Sequence, residues 1–424
     1  MGGENQISQI LDPAVPGFPK IFRTFRMAVQ PSKLIIALGL IAATALAGWI
    51  MDLSKTVVTT PGTNGRETEL DVYMTASEQV SPYIEKYTDT DEHAGVFSTM
   101  WGFAHNKFHG VLKEFFAFNL SGILRNIAEF LRAVKWAIRY HAAYCVIFGL
   151  VTLCLVSIAG GAICRIAALQ IAQDEKPGIT EAMRFSTKRF ASFFSTPFVP
   201  AAIIALAGAC ISFIGLAANI PLGLGELIVG ILMPLALLGG AIIAVVLVWT
   251  IAGFNLMFPA VAYDGSTGLD AVSRSFNYVC VRPWRMGFYT IIAFVYGAIC
   301  YIFVRFFAYL LLWATYKGLR LVAVLDSARG LPDKIAAIWP EPSFGQLLAF
   351  STATGSTSEW VAAILVYLSA LIVVGLVVSF IISFYFSANT IVYALMRNKV
   401  DNTPLEEIYI EPEETIQQPG KTEK

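Results

Sequence analysis

The chain has 424 residues, 56% of them hydrophobic and 14% charged, with a mean hydropathy of +0.64. That balance excludes an ordinary soluble globular protein and points to lipid as the solvent. Thirty Lys and Arg offset thirty Asp and Glu, so no global basic field suggests nucleic acid, and no basic, aromatic-interleaved patch of the RNA-binding kind occurs.

Residues 1–33 read as a cytoplasmic lead with Pro13, Pro16 and Pro19 and the basic amphipathic stretch KIFRTFRMAV. A bilayer core needs about 20 mostly apolar residues per helix. Six stretches meet that test: Leu34 to Met51, Ala142 to Cys164, Phe198 to Leu216, Leu227 to Phe258, Phe288 to Trp313, and Val361 to Phe386. The expected fold is therefore all-α and polytopic, with about six transmembrane helices, interfacial amphipathic helices and internal repeats. The first span, 34–51, carries an A-x-A pattern at Ala45 to Ala47, as a cleaved signal would. Its lead is too long for an n-region, however, and the apolar run continues through Trp49, Ile50 and Met51, so a retained anchor is the simpler reading. The fourth span contains Pro234, Gly239 and Gly240 and exceeds one crossing, which predicts a tilt, a kink or a run beyond the bilayer.

Residues 52–139 form an extracytoplasmic insertion. Its polar part, to about residue 107, is too short to bury much core by itself. From Phe108 to Ile138 apolar residues recur at helical spacing. The charges there rule against a spanning segment. A basic amphipathic helix in the membrane interface, or two broken near Ser121 and Gly122, accounts for the pattern; so does a helix packed on the insertion's own core. His105 and His109 stand at i, i+4 spacing, with His93, Asp91 and Glu92 as further candidate ligands. The Glu of HExxH is missing, so surface histidines are the plainer reading and no metal is expected.

Residues 140–400 hold the remaining five spans, and residues 401–424 form an acidic, proline-containing tail expected to be disordered. With the N-terminus inside, sixteen Lys and Arg fall on the cytoplasmic side and four between the fifth and sixth spans. This favours N-in, C-in. Lys113, Arg125, Arg132, Lys135 and Arg139 conflict with it, clustering on the outer side just before the second span. The six cysteines show no CxxC spacing and sit in or beside apolar segments, as small buried hydrophobes do. Arg305 lies within the fifth span near its outer end, where snorkelling explains it.

A repeat emerges where spans end. Arg165 stands nine residues before Asp174, and Asn255 nine before Asp264. GITEAM from Gly178 then matches GLDAV from Gly268 with one residue dropped, pairing Glu181 with Asp270 and Ser186 with Ser275. After the sixth span, Asn389, Asp401 and Glu406 offer a looser third copy. The physical account is a helix leaving the bilayer, a turn, and a new helix whose early acid favours its positive end. Asp174, Glu181, Asp264 and Asp270 are thus read as turn and helix-start residues. The short helices that follow would lie on the membrane surface, their bases reaching anionic lipid headgroups. Arg165 and Asn255, just upstream, would either line a polar cavity or anchor helix ends.

The apolar helix ending in PAVAYDGSTGLDAVSRSFNYV, followed by VRPWRMGFY and another span, resembles the six-span membrane domain attached to some glycerophosphodiester phosphodiesterases. RIAALQIAQDE and TIVYALMR extend the likeness to multi-pass bacterial membrane proteins of planctomycete type. The resemblance runs from about Ala142 to Arg397 and implies the membrane fold. It carries over no activity, because no phosphodiesterase catalytic domain is present. With no P-loop, GxSxG or dinucleotide-binding glycine pattern in view, the chain is expected to be a non-enzymatic, cofactor-free membrane protein of the cell envelope. Its leading role is a lipid-interacting or partner-organising scaffold, with a small-molecule or lipid transporter as the alternative and protein partners unspecified.

Overall fold

A computed structural model describes residues 18–62, 65–88, 93–221, 224–327, 334–348 and 356–410. Pro13, Pro16, Asp91, Glu92 and the tail beyond residue 410 lie outside the described residues. The chain divides into two compact units, one of residues 39–156 and one of residues 1–38 with 157–424. In chain order the helices are α1 (Thr24–Ala28), α2 (Pro31–Asp52), α3 (Glu69–Thr75), α4 (Val80–Tyr87), α5 (Val96–Phe116), α6 (Leu120–Tyr140), α7 (Ala142–Ala172), α8 (Ile179–Lys188), α9 (Phe190–Ser195), α10 (Phe198–Leu216), α11 (Leu224–Asp264), α12 (Gly268–Val281), α13 (Pro283–Ser327), α14 (Lys334–Ile338) and α15 (Thr357–Val400).

Among the described residues six helical segments are long and apolar enough to cross a membrane: Pro31–Asp52, Ala142–Ala172, Phe190–Asn219, Leu224–Asp264, Pro283–Leu321 and Thr357–Val400. The protein is a predominantly helical, polytopic membrane protein in its architecture. The expected fourth span is the central part of α11, which has 41 residues and continues through Pro234 and Pro259. At 1.5 Å per residue it is about 60 Å long, roughly twice a hydrocarbon core, so of the expected alternatives it runs on beyond one crossing.

The unit of residues 39–156 contains a small antiparallel sheet, β1 (Val57–Gly62), β2 (Gly65–Thr68) and β3 (His93–Ala94), in the order β2-β1-β3. Thr68 starts α3 through a capping box with Asp71, satisfying two backbone N–H groups reciprocally. The polar part of the insertion, to about residue 107, is too short for a core of its own. It acquires one by recruiting α6: Val57, Leu70, Tyr73, Val80 and Val96 close on Ala133, Trp136 and Ala137. Asp52 fastens the start of α5, accepting from the N–H groups of Phe97 and Ser98 at 2.8 Å each.

In the other unit, α15 is the shared packing element. Ser379, Ser383, Ser387 and Thr390 are fully buried along it, and the Ser383 hydroxyl donates to the Ala28 carbonyl at 2.8 Å. Small hydroxylated residues let helix backbones approach while their O–H groups find acceptors, the usual recipe for apolar helices that gain nothing from hydrophobicity inside lipid.

Candidate functional site

Three helix ends share one backbone device. Asp174 after α7, Gly265 after α11 and Asn402 after α15 all adopt left-handed φ values of 56, 60 and 56°. Gly, Asn and Asp are the residue types that tolerate this conformation and so end helices sharply. Glu181 and Asp270 occupy the same third position in α8 and α12, after Gly178 and Thr267. The Thr267 hydroxyl accepts from Asp270 N–H at 3.3 Å and donates to the Asp270 carboxylate at 2.7 Å. Asp174, Glu181 and Asp270 therefore stand as turn and helix-start residues.

Asp264 does more. It closes α11, and its carboxylate collects side chains from two other helices. Arg274 of α12 donates to Oδ2 at 2.9 Å, and the Tyr393 hydroxyl of α15 donates to the same oxygen. Arg397 of α15 brings Nε within 3.1 Å of Oδ1, close enough for ion pairing although off the line of the N–H. Asp264 and Arg397 side chains are 6% and 9% exposed, so their attraction acts in a weakly screened setting. Arg274 is nearly half exposed and contributes less.

Residues 401–410 belong to the same network, rather than to the disordered tail expected from composition. Tyr278 donates to the Asp401 carboxylate at 2.5 Å, and burial together with that carboxylate holds its phenol protonated well above the usual range. Arg397 donates to the Glu407 carbonyl at 2.8 Å, the Tyr263 hydroxyl donates to the Leu405 carbonyl, and Tyr409 N–H donates to the Tyr263 carbonyl at 3.0 Å. The composition of this segment is that of a disordered tail; its order comes from nearby Arg397 and from Tyr263 and Tyr278, which lie more than a hundred residues away in sequence.

Arg165 completes the clamp. It is 1% exposed, donates to the carbonyls of Ala262 at 3.2 Å and Tyr409 at 2.8 Å, and lies 4.3 Å over the Phe185 ring. Of its two expected roles, this is the anchor. Asn255 goes elsewhere, donating to Asn389 of α15 at 3.1 Å. The two residues of the proposed polar route thus reach separate partners. Arg189, expected among bases reaching lipid headgroups, donates to the Gly265 carbonyl at 2.7 Å and lies 4.8 Å over the Tyr409 ring. Arg274 is likewise turned onto Asp264.

Gly265 is required twice over, by its φ of 60° and because a Cβ there would stand 2.5 Å from the Tyr409 ring. Gly265→Ala is expected to cost about 1 to 3 kcal/mol of stability from backbone strain alone. Thermal unfolding of the purified protein in detergent checks this, and adding Tyr409→Ala should relieve the collision but not the strain.

Lys33 escaped the sequence reading, which used it only as an orientation charge. It is fully buried, and its Nζ donates to Gln170 Oε1 at 3.0 Å and Ser387 Oγ at 3.2 Å, joining α2 to α7 and α15. Its place in the first turn of an apolar helix, after Pro31 and Ser32, was the available signal. Arg305, expected to snorkel, instead gathers a loop: it donates to the Phe344 carbonyl at 2.9 Å, to Gly345 at 3.0 Å and to the Tyr301 hydroxyl at 3.0 Å. The rings of His105 and His109 meet edge to face with centroids 4.5 Å apart. Among the described residues no group of three or more His, Cys, Asp or Glu side chains gathers to hold a metal. Compared with family models, curated proteins and solved structures, the chain matches none.

Proposed function

We propose that the protein is a non-enzymatic scaffold of the bacterial cytoplasmic membrane, lipid-interacting or partner-organising, with both termini cytoplasmic. The observation that supports this reading is how the buried charges are used. Arg165, Asp264 and Arg397 are each turned onto the chain's own carbonyls, carboxylates and phenols, fastening four helices and the 401–410 segment together. Buried ions in apolar helices are costly, and here they serve cohesion. The likeness of residues 142–397 to the membrane domain of glycerophosphodiester phosphodiesterases belongs to the same reading, as a membrane domain without the enzyme.

A small-molecule or lipid transporter is the second reading. Lys33 favours it, because its buried amino group meets the neutral groups of Gln170 and Ser387. Proteoliposomes containing dye-labelled phosphatidylglycerol separate the two. The scaffold is expected to give no lipid flux above empty vesicles and to be captured with neighbouring envelope proteins after crosslinking. Flux that disappears in Asn255→Ala at unchanged protein level overturns it.

A further inference from the structure

α6 buries one face and leaves the opposite face bare. Ala133, Trp136 and Ala137 enter the core of the unit of residues 39–156. Glu129 faces α5 and pairs with Lys107 at 2.5 Å, while Asn126 sits where a side chain at Gly110 would collide, so the two helices run antiparallel in close contact. The opposite face is the stripe Leu120, Leu124, Ile127, Leu131 and Ile138, spaced i, i+4, i+7, i+11 and i+18. At 100° per residue these fall within about 40° of one line, and they are 43 to 68% exposed.

Along one flank of the stripe run Arg125, Arg132, Lys135 and Arg139, all exposed. Arg132 reaches the Met74 carbonyl only at 3.5 Å, and Arg139 lies 5.8 Å over the Tyr140 ring. None of the four pairs with a carboxylate among the described residues. An apolar stripe of this length beside a row of bases is a poor surface for water and a good one for a lipid interface, where leucines reach acyl chains and bases reach phosphates. Position supports the same occupant. α6 ends at Tyr140, and after His141 the chain enters α7, which is long and apolar enough to span.

We infer that this face of α6 lies in the membrane interface and selects anionic lipid, the stripe seated at the acyl boundary and the four bases on headgroup phosphates. The inference rests on the lipid-interacting form of the scaffold reading and names its lipid. It also accounts for the bases that sit on the side where the orientation rule places few: they are there for phosphate contact.

The test uses the full-length protein in nanodiscs of mixed phosphatidylcholine and phosphatidylglycerol, with retained lipid read by native mass spectrometry. Each base near an anionic surface contributes about fivefold. The combined variant Arg125→Gln, Arg132→Gln, Lys135→Gln and Arg139→Gln should therefore weaken phosphatidylglycerol retention by roughly 600-fold. Since all four residues are exposed, the unfolding midpoint should hold. Equal retention by the variant overturns the inference. Spin labels at Leu131→Cys and Lys135→Cys give a second readout, with oxygen expected to reach the first and a nickel chelate the second. A nickel chelate reaching position 131, or strong broadening between labels on two molecules, overturns it too, the latter by showing that a second copy covers the stripe. Neither readout depends on lipid flux, so the transport test fails or succeeds separately.

Discussion

Asp264→Ala is expected to lower stability by about 3 to 5 kcal/mol, because removing one partner leaves buried charge without compensation. Arg397 is 9% exposed and loses its carboxylate, Tyr393 loses its acceptor, and Arg274 is released to solvent. Asp264→Asn is the informative companion. It keeps the shape and one acceptor oxygen for Tyr393 but removes the charge that balances Arg397, so it should recover only part of the loss. Thermal unfolding of the purified protein in detergent reads both. If Asp264→Asn matches the parent, the carboxylate charge is not what holds α11, α12 and α15 together, and the account of this network fails.

Arg165→Ala should cost about 3 kcal/mol and, more tellingly, should free the 401–410 segment. A hydrogen bond from a charged donor is worth about 1.5 to 3 kcal/mol. Arg165 makes two such bonds, to the carbonyls of Ala262 and Tyr409, and stacks on Phe185 as well. The segment it helps hold is otherwise fastened through Tyr263, Tyr278 and Arg397. Protease cleavage between residues 401 and 410, slow in the parent, should therefore quicken while the helices stay intact. Arg165→Lys should not restore protection, since an ammonium lacks the planar fork that serves two carbonyls and a ring at once. Unchanged cleavage in Arg165→Ala would show that the segment is held without the Arg165 anchor.

Much of the architecture is written in local pattern. The six spans are legible because an apolar helix must present apolar side chains over about 20 residues wherever lipid surrounds it, and no distant partner changes that need. Glu181 and Asp270 are legible as helix starts for the same reason: the cap and the first-turn acid answer to the backbone N–H groups beside them. The amphipathic period through Phe108 to Ile138 was readable too. Its break was placed near Ser121 and Gly122, whereas α5 ends at Phe116 and Phe118 takes a φ of 54° before Asn119 caps α6. A turn made by an aromatic residue in a left-handed conformation leaves no conventional glycine or proline signal.

The sequence by itself determined that the chain is apolar enough for lipid, where its spans lie, and which short motifs turn and restart its helices. All of these are governed by neighbours within a few residues or by the solvent. Only the tertiary structure decided what the polar residues are for. Asp264 is a turn residue by spacing and an ionic hub by position, because Arg274, Tyr393 and Arg397 come from 10, 129 and 133 residues further along. The 401–410 segment has the composition of a disordered tail and is ordered by Arg165, Tyr263 and Tyr278. Lys33 reads as an orientation charge and is buried between α7 and α15. A charge acts over a few ångströms of space, and the sequence does not carry that distance.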